Sequence, residues 1–142
     1  ERGKADVEAT AGQEMTNCVG LCSFSGMCFK PGTVPTLLAA TFGREYTQEQ
    51  LVKDGTRIFM MRHAFNIREG LTADKAWSSP RLAGKPAIKD GPNAGISIDV
   101  DPLAECFYEA LGCDPKTGIP SKEALEAIGG LENIIATFYG NN

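Results

Sequence analysis

The chain has little positive charge, little aromatic surface and no long apolar run. Lys and Arg total 14 against 18 Asp and Glu, a net charge of −4 with one His. A duplex-binding domain presents a basic face that this balance does not supply. A polybasic membrane anchor is equally absent. No stretch approaches the ~20 apolar residues of a transmembrane helix. The sequence therefore excludes nucleic-acid and membrane partners as an expectation. Aromatics make up 8%, with one Trp. A single His cannot make a His pair for a metal, so His63 is read as a structural residue near a helix end. Neither Gly-x-x-x-x-Gly-Lys-Ser/Thr nor Gly-x-Gly-x-x-Gly occurs, so no phosphate-cradling loop is expected. Without a Gly-x-Ser-x-Gly elbow, Ser/His/Asp catalysis has no support.

What is present is an ordinary soluble composition. The chain has 142 residues, 42% hydrophobic and 23% charged. A chain of this length buries roughly 68–70% of its unfolded surface, enough for a core without disulfide staples. One domain over 1–142 is the expected organisation. Residues 1–6 have no apolar signal region. The first residue is Glu rather than Met, as expected for a processed product or a piece of a longer chain. Five cysteines are an odd count, and Cys18, Cys22 and Cys28 lie close together. A reducing, cytoplasmic setting fits them better than a secreted disulfide framework.

Helical signals dominate. Thr47 with Gln50 forms a capping box ahead of Leu51, Gly55, Ile58, Phe59, Arg62 and Phe65 at helical spacing, predicting a helix over 48–68 that Gly70 stops. A shorter helix is expected from Thr33 through Ala40, ended by Gly43. Asp101-Pro102 reads as an N-cap and first-turn proline. Behind it, Leu103, Cys106, Phe107, Ala110 and Leu111 make one apolar face up to Gly112. Ser121 caps a further helix ended by Gly129-Gly130, and 131–139 makes a last short one. Residues 1–16 read as polar and weakly patterned. A long irregular loop occupies about 70–100, with a strand-like alternation over 96–100. The fold class is all-α, an irregular helical bundle.

Asp114 to Pro120 resembles a calcium loop only superficially. An EF-hand starting at Asp114 needs Gly at 119 and Glu at 125, where Ile119 and Leu125 stand. The segment reads as a helix–helix turn. The cysteine cluster leaves two readings open: buried small hydrophobes, or ligands of a metal centre completed from elsewhere. Cys18 and Cys22 would share a face if their segment were helical. Gly20 and Gly26 would permit close backbone approach or positive φ.

The order of motifs resembles one family. Asn17-Cys18-Val19-Gly20-Leu21-Cys22 resembles the Asp-x-x-Gly-Leu-Cys motif of aldehyde:ferredoxin oxidoreductases. Tyr46-Thr47-x-x-x-Leu51 and Gly55-x-Arg57-Ile58 are similar to that family's next helix. Phe65-Asn66-x-Arg68-Glu69-Gly70, then Asp74 with Pro80-Arg81, then Leu111 to Ser121 follow in the family's order. The resemblance runs from about residue 15 to 131.

The resemblance implies the C-terminal helical domain of a larger oxidoreductase. It implies tungsten, or molybdenum, on a bis-pyranopterin beside a 4Fe-4S cluster, with aldehydes oxidised to acids and electrons passed to ferredoxin. Cys22 would give the cluster its fourth ligand, Asn17 and Leu21 would touch a pterin, and no catalytic side chain maps onto the chain. Asn17 stands where the family has Asp, which keeps an acceptor oxygen but loses the charge. Cys18, Cys28, Cys106 and Cys113 are read as structural. The implied partners are the upstream domains of the same enzyme and ferredoxin, with a homo-oligomer open. The 142 residues alone are expected to be inactive. Two alternatives stand beside this reading: a non-catalytic helical binding module that kept the scaffold, and the related subunit of a tungsten-dependent benzoyl-CoA reductase. Sequencing the reading frame upstream decides for the enzyme if it encodes Cys-x-x-Cys-x-x-x-Cys, the expected result. A frame with no such triad would favour the binding module.

Overall fold

The computed structural model describes residues 1–75 and 79–140. Within them the chain is helical: α1 (Arg2–Cys18), α2 (Thr33–Phe42), α3 (Gln48–Arg68), α4 (Asp101–Leu111), α5 (Lys122–Ile128) and α6 (Glu132–Tyr139). Short 3-10 turns lie at Ser25–Cys28, Ala73–Lys75 and Pro80–Ala83. No strand forms among the described residues, and the only β-type pairing there is an isolated bridge between Cys113 and Pro120. The all-α class holds.

The capping signals place the helices well. Thr47 accepts a hydrogen bond from the Gln50 backbone N–H, and α3 spans the predicted 48–68. Ser121 does the same for Ala124 at the start of α5. α2 and α4 end on Gly43 and Gly112 as expected.

Four expectations need correction. Residues 1–16 are not weakly structured but form most of α1. Their many helix formers (Lys, Ala, Glu, Gln and Met) carry a stripe of small residues, which a search for large apolar side chains overlooks. The alternation over 96–100, too isolated in the sequence to pair, is not among these: it forms no strand among the described residues. Asp101 lies inside α4 rather than capping it; Val100 takes the cap position in a helical conformation without a side-chain bond. The stripe on α3 is also rotated. Leu51, Gly55, Met60, Ala64 and Ile67 are buried, while Arg62 and Phe65 face outward. On α4 only Leu111 is fully buried, and Cys106 is exposed.

Helix α1 packs chiefly on α3 and secondly on α4. It crosses α3 where Gly55 meets Ala11. A Cβ built on Gly55 would lie 2.1 Å from the Ala11 carbonyl oxygen. Gly3 makes a similar approach to the Cys106 carbonyl of α4. Two buried clusters result. One joins Met60, Leu111, Cys113, Leu125 and Leu131, with Val7 and Phe59 against it. The other joins Met15, Leu38, Tyr46 and Leu51. α1 and α3 contribute to both. The Glu14 carboxylate, nearly buried, accepts from Arg62 Nη1 at 2.6 Å and ties the two helices again.

Between α4 and α5, Asp114 organises the helix–helix turn. Its Oδ1 accepts from the backbone N–H groups of Lys116 and Thr117 and from the Thr117 hydroxyl. His63 Nε2 donates to the Gly118 carbonyl of this turn at 2.6 Å. Its ring stacks on Phe59 and tilts against Tyr108. The histidine therefore locks α3 to the turn, as the structural reading expects.

Gly55→Ala should destabilise the chain by about 1–3 kcal/mol through overpacking against backbone. Gly12→Ala, whose Cβ would meet nothing within 4 Å, should instead stabilise α1 by about 0.5–1 kcal/mol. Urea unfolding of both variants checks the pair. Equal effects would mean that the helix crossing is not the constraint.

Candidate functional site

The three predicted site residues lie where α1 ends: Asn17 in its last turn, Leu21 and Cys22 in the loop that follows. Val19 ends the helix in a helical conformation, and Gly20 follows at φ +76°. The Gly20 N–H donates to the Asn17 carbonyl and the Leu21 N–H to the Thr16 carbonyl, closing a Schellman turn. A side chain at Gly20 would meet open space, so its glycine serves the left-handed φ and not a close approach. Gly26 has no positive φ and is equally unobstructed, which corrects the sequence reading of that residue.

Past the turn the chain leaves the helix face. Cys18 is the last residue of α1 and Cys22 lies beyond it, so the two do not share a helical stripe. The Cys22 carbonyl accepts from the Ser25 N–H at 2.9 Å and from the Ser25 hydroxyl at 2.6 Å. Those bonds lead into the 3-10 turn at Ser25–Cys28. Cys18, Cys22 and Cys28 are all exposed free thiols, as is Cys106; only Cys113 is buried. The reading of Cys18, Cys28 and Cys106 as buried small hydrophobes is thus corrected. Phe24, beside Cys22, is 76% exposed.

Asn17 sits in the last turn of α1, and its Oδ1 accepts from Gln13 Nε2 at 3.0 Å. The same nitrogen donates to Ser23 Oγ at 2.9 Å. Sequence reading missed Gln13 and Ser23. The available signal was the i,i+4 spacing of Gln13 and Asn17 on one helix face. A cleft of about 430 Å³ opens beside this loop, lined among others by Gln13, Thr16, Ser23, Gly26 and Lys30. That volume lies within the usual range for small-molecule pockets. A larger cleft of about 670 Å³ lies elsewhere, beside Asp74, Asp101, Glu105, Tyr108 and Lys116, and Asn17, Leu21 and Cys22 line neither of the two.

A family model described as aldehyde ferredoxin oxidoreductase, domains 2 and 3, matches residues 1–129. The chain belongs to this family. It is 29% identical over 125 residues to the tungsten-containing aldehyde ferredoxin oxidoreductase of Pyrococcus furiosus, covering 88% of this chain and 20% of that protein. The enzyme of the same description from Pyrococcus abyssi is 26% identical over 121 residues, covering 85% of this chain and 20% of the relative. That from Thermococcus kodakarensis is 25% identical over 112 residues, covering 79% and 18%. The chain thus spans about a fifth of the length of these curated relatives. No solved structure matches it.

The donor set is consistent with a shared cofactor site. Among the described residues, no group of three or more His, Cys, Asp or Glu side chains converges as a metal site. One exposed thiol in a hydrogen-bonded loop suits a single ligand to a cluster whose other ligands lie on another segment. Cys113 does not suit this role. Burial, then the Asp114 charge, pushes its thiol up to about 12, so it stays protonated.

A second polar group sits behind α1. Tyr46 donates to Asp54 Oδ2 at 2.6 Å, and Gln50 and Arg57 donate to Asp54 Oδ1. Burial would raise the Asp54 carboxyl, but the hydrogen bonds from Tyr46 and Gln50 and the Arg57 charge outweigh it and hold it below 3.8. Burial and the Asp54 bond push Tyr46 up to about 12. Arg57 Nε also donates to the Gly129 carbonyl at 2.8 Å, so the group links α3 to the end of α5.

These shifts fix the sign of the pH dependence. Asp54, depressed in the fold, contributes stability above its ordinary 3.8 that is lost as pH falls below it. Cys113 and Tyr46 are raised. Their contributions are intact below 9.0 and 10.0 and are lost as pH climbs toward about 12. Denaturant midpoints measured from pH 6 to 12 should therefore fall on the alkaline side. Cys113→Ala should lower the neutral plateau by about 1 kcal/mol for the lost packing and make the alkaline fall shallower. An unchanged alkaline slope would clear Cys113 of that role.

Proposed function

We propose that the chain is the C-terminal helical domain, a single unit over 1–142, of an enzyme that oxidises aldehydes to carboxylic acids and passes the electrons to ferredoxin. Three facts support the reading: the family match over residues 1–129, relatives that are tungsten-containing enzymes of this description, and a length about a fifth of theirs. The observation that carries the site is the exposed Cys22 thiol, held just past a Schellman turn and facing no second ligand among the described residues.

In this reading Cys22 is one thiolate ligand of a 4Fe-4S cluster whose other ligands come from upstream domains. Asn17 and Leu21 lie at the turn where a pterin edge would rest. The Asn17 oxygen already accepts from Gln13, and its NH2 makes no hydrogen bond among the described residues. Asn17 would therefore meet a pterin edge through its NH2 donors and the second lone pair of its oxygen. When bound, a tungsten or molybdenum bis-pyranopterin supplies the two-electron oxidation and the cluster passes single electrons onward. The chain's own residues supply a ligand, orient the loop and cover one side of the centre. With no catalytic side chain assigned to it, the chain by itself is inactive.

Metal analysis of the anaerobically purified parent protein tests this. The expected result is tungsten or molybdenum with about four irons per chain, as one cubane cluster requires. Cys22→Ala should lose that iron, whereas Cys106→Ala should keep it. Equal iron in the two variants would sink the ligand assignment. A parent with no metal would instead favour a binding module built on the same scaffold.

A further inference from the structure

We infer that Gln13 is a positioning residue for Cys22: its side-chain amide clamps the last turn of α1 to the residue that follows the cysteine. The inference rests on Cys22 being a cluster ligand. Gln13 Nε2 donates to Asn17 Oδ1 at 3.0 Å and to Ser23 Oγ at 2.9 Å. One side chain thus spans the Gly20 turn and closes the loop Asn17–Ser23 from outside the backbone. An i,i+4 amide pair on an exposed helix face is by itself only weak helical support. The second partner, Ser23, lies beyond the end of the helix and gives Gln13 a further role.

The backbone bonds show where that clamp is needed. The Leu21 N–H is held by the Thr16 carbonyl, and the Ser25 N–H by the Cys22 carbonyl. The first bond fixes the chain before Cys22, and the second ties Cys22 only to its own loop. Ser23 is where the loop is tied back to α1 by a side chain, one residue past the thiol. Metal ligands depend on such outer partners for their aim, because the ligand itself offers few bonds with which to fix its own orientation. Gln13 and Ser23 also line one cleft together, so the clamp forms part of its wall.

The test uses the full-length protein with its metal centres loaded. Gln13→Met keeps the length and the apolar stem but removes the amide. It should shift the midpoint potential of the iron–sulfur centre and speed iron release to a chelator about 10-fold, the low end of outer-shell effects. It should also raise amide hydrogen exchange at Ser23 and Ser25. Ser23→Ala should act in the same direction, and the double variant should add little, as expected of one shared interaction. Gln13→Glu, which can still accept from the Ser23 hydroxyl, should recover part of the loss. Glu8→Ala, on the same helix, should leave all three readouts unchanged. Wild-type potential, iron release and exchange in Gln13→Met would overturn the clamp while Cys22→Ala still loses its iron. Full iron in Cys22→Ala would overturn the ligand reading, and the positioning role with it.

Discussion

The close crossing of α1 and α3 at Ala11 and Gly55 is the contact on which the rest of the structure depends. With no Cβ at Gly55, the Ala11 carbonyl can lie where a side chain would otherwise stand. Such proximity lets both helices feed both buried clusters: Val7 and Phe59 flank one, Met15 and Leu51 belong to the other. The Glu14–Arg62 pair then ties the two helices by charge. Arg62 is mostly exposed, so this pair adds less to stability than to register. The apolar packing carries the energy.

The site inherits its position from that crossing. Because α1 is fixed against α3, its C-terminal turn has a defined place, and so does the loop that follows. Gly20 ends the helix, the Schellman bonds turn the chain, and Cys22 emerges into solvent. A buried Cys22 would have been a packing residue. An exposed one leaves its sulfur open to whatever lies opposite, and Phe24, two residues on, is largely exposed as well. The wider surface has the same character. Leu82, Ile96, Ile98 and Leu103 are exposed in and next to the irregular segment that precedes α4. A domain of a larger enzyme is expected to leave such surface for its neighbours.

The local signals in the sequence were reliable at most helix ends, the Asp101-Pro102 start of α4 being the exception. Thr47, Ser121, Gly43 and Gly112 mark boundaries because capping and positive φ are decided within a few residues. The same holds for the Asp114 turn, whose side chain bonds its own backbone. At the candidate site the local reading allowed Gly20 a positive φ, which it takes, whereas Asn17, Leu21 and Cys22 were singled out by the family resemblance alone. Gln13 was not legible, since its partner Ser23 is brought near only after the turn has formed.

The sequence by itself determined the all-α class, the span of α3, the helix–helix turn at Asp114 and the family motifs in their order. These follow from short-range chemistry: periodicity, caps and turns. Only the tertiary structure decided that residues 2–18 form a central helix, because its small residues matter for how near a neighbour can come. It also decided which thiols are buried. Burial depends on what packs above a residue, so Cys113 is enclosed while Cys18, Cys22, Cys28 and Cys106 are open, though all five are the same residue.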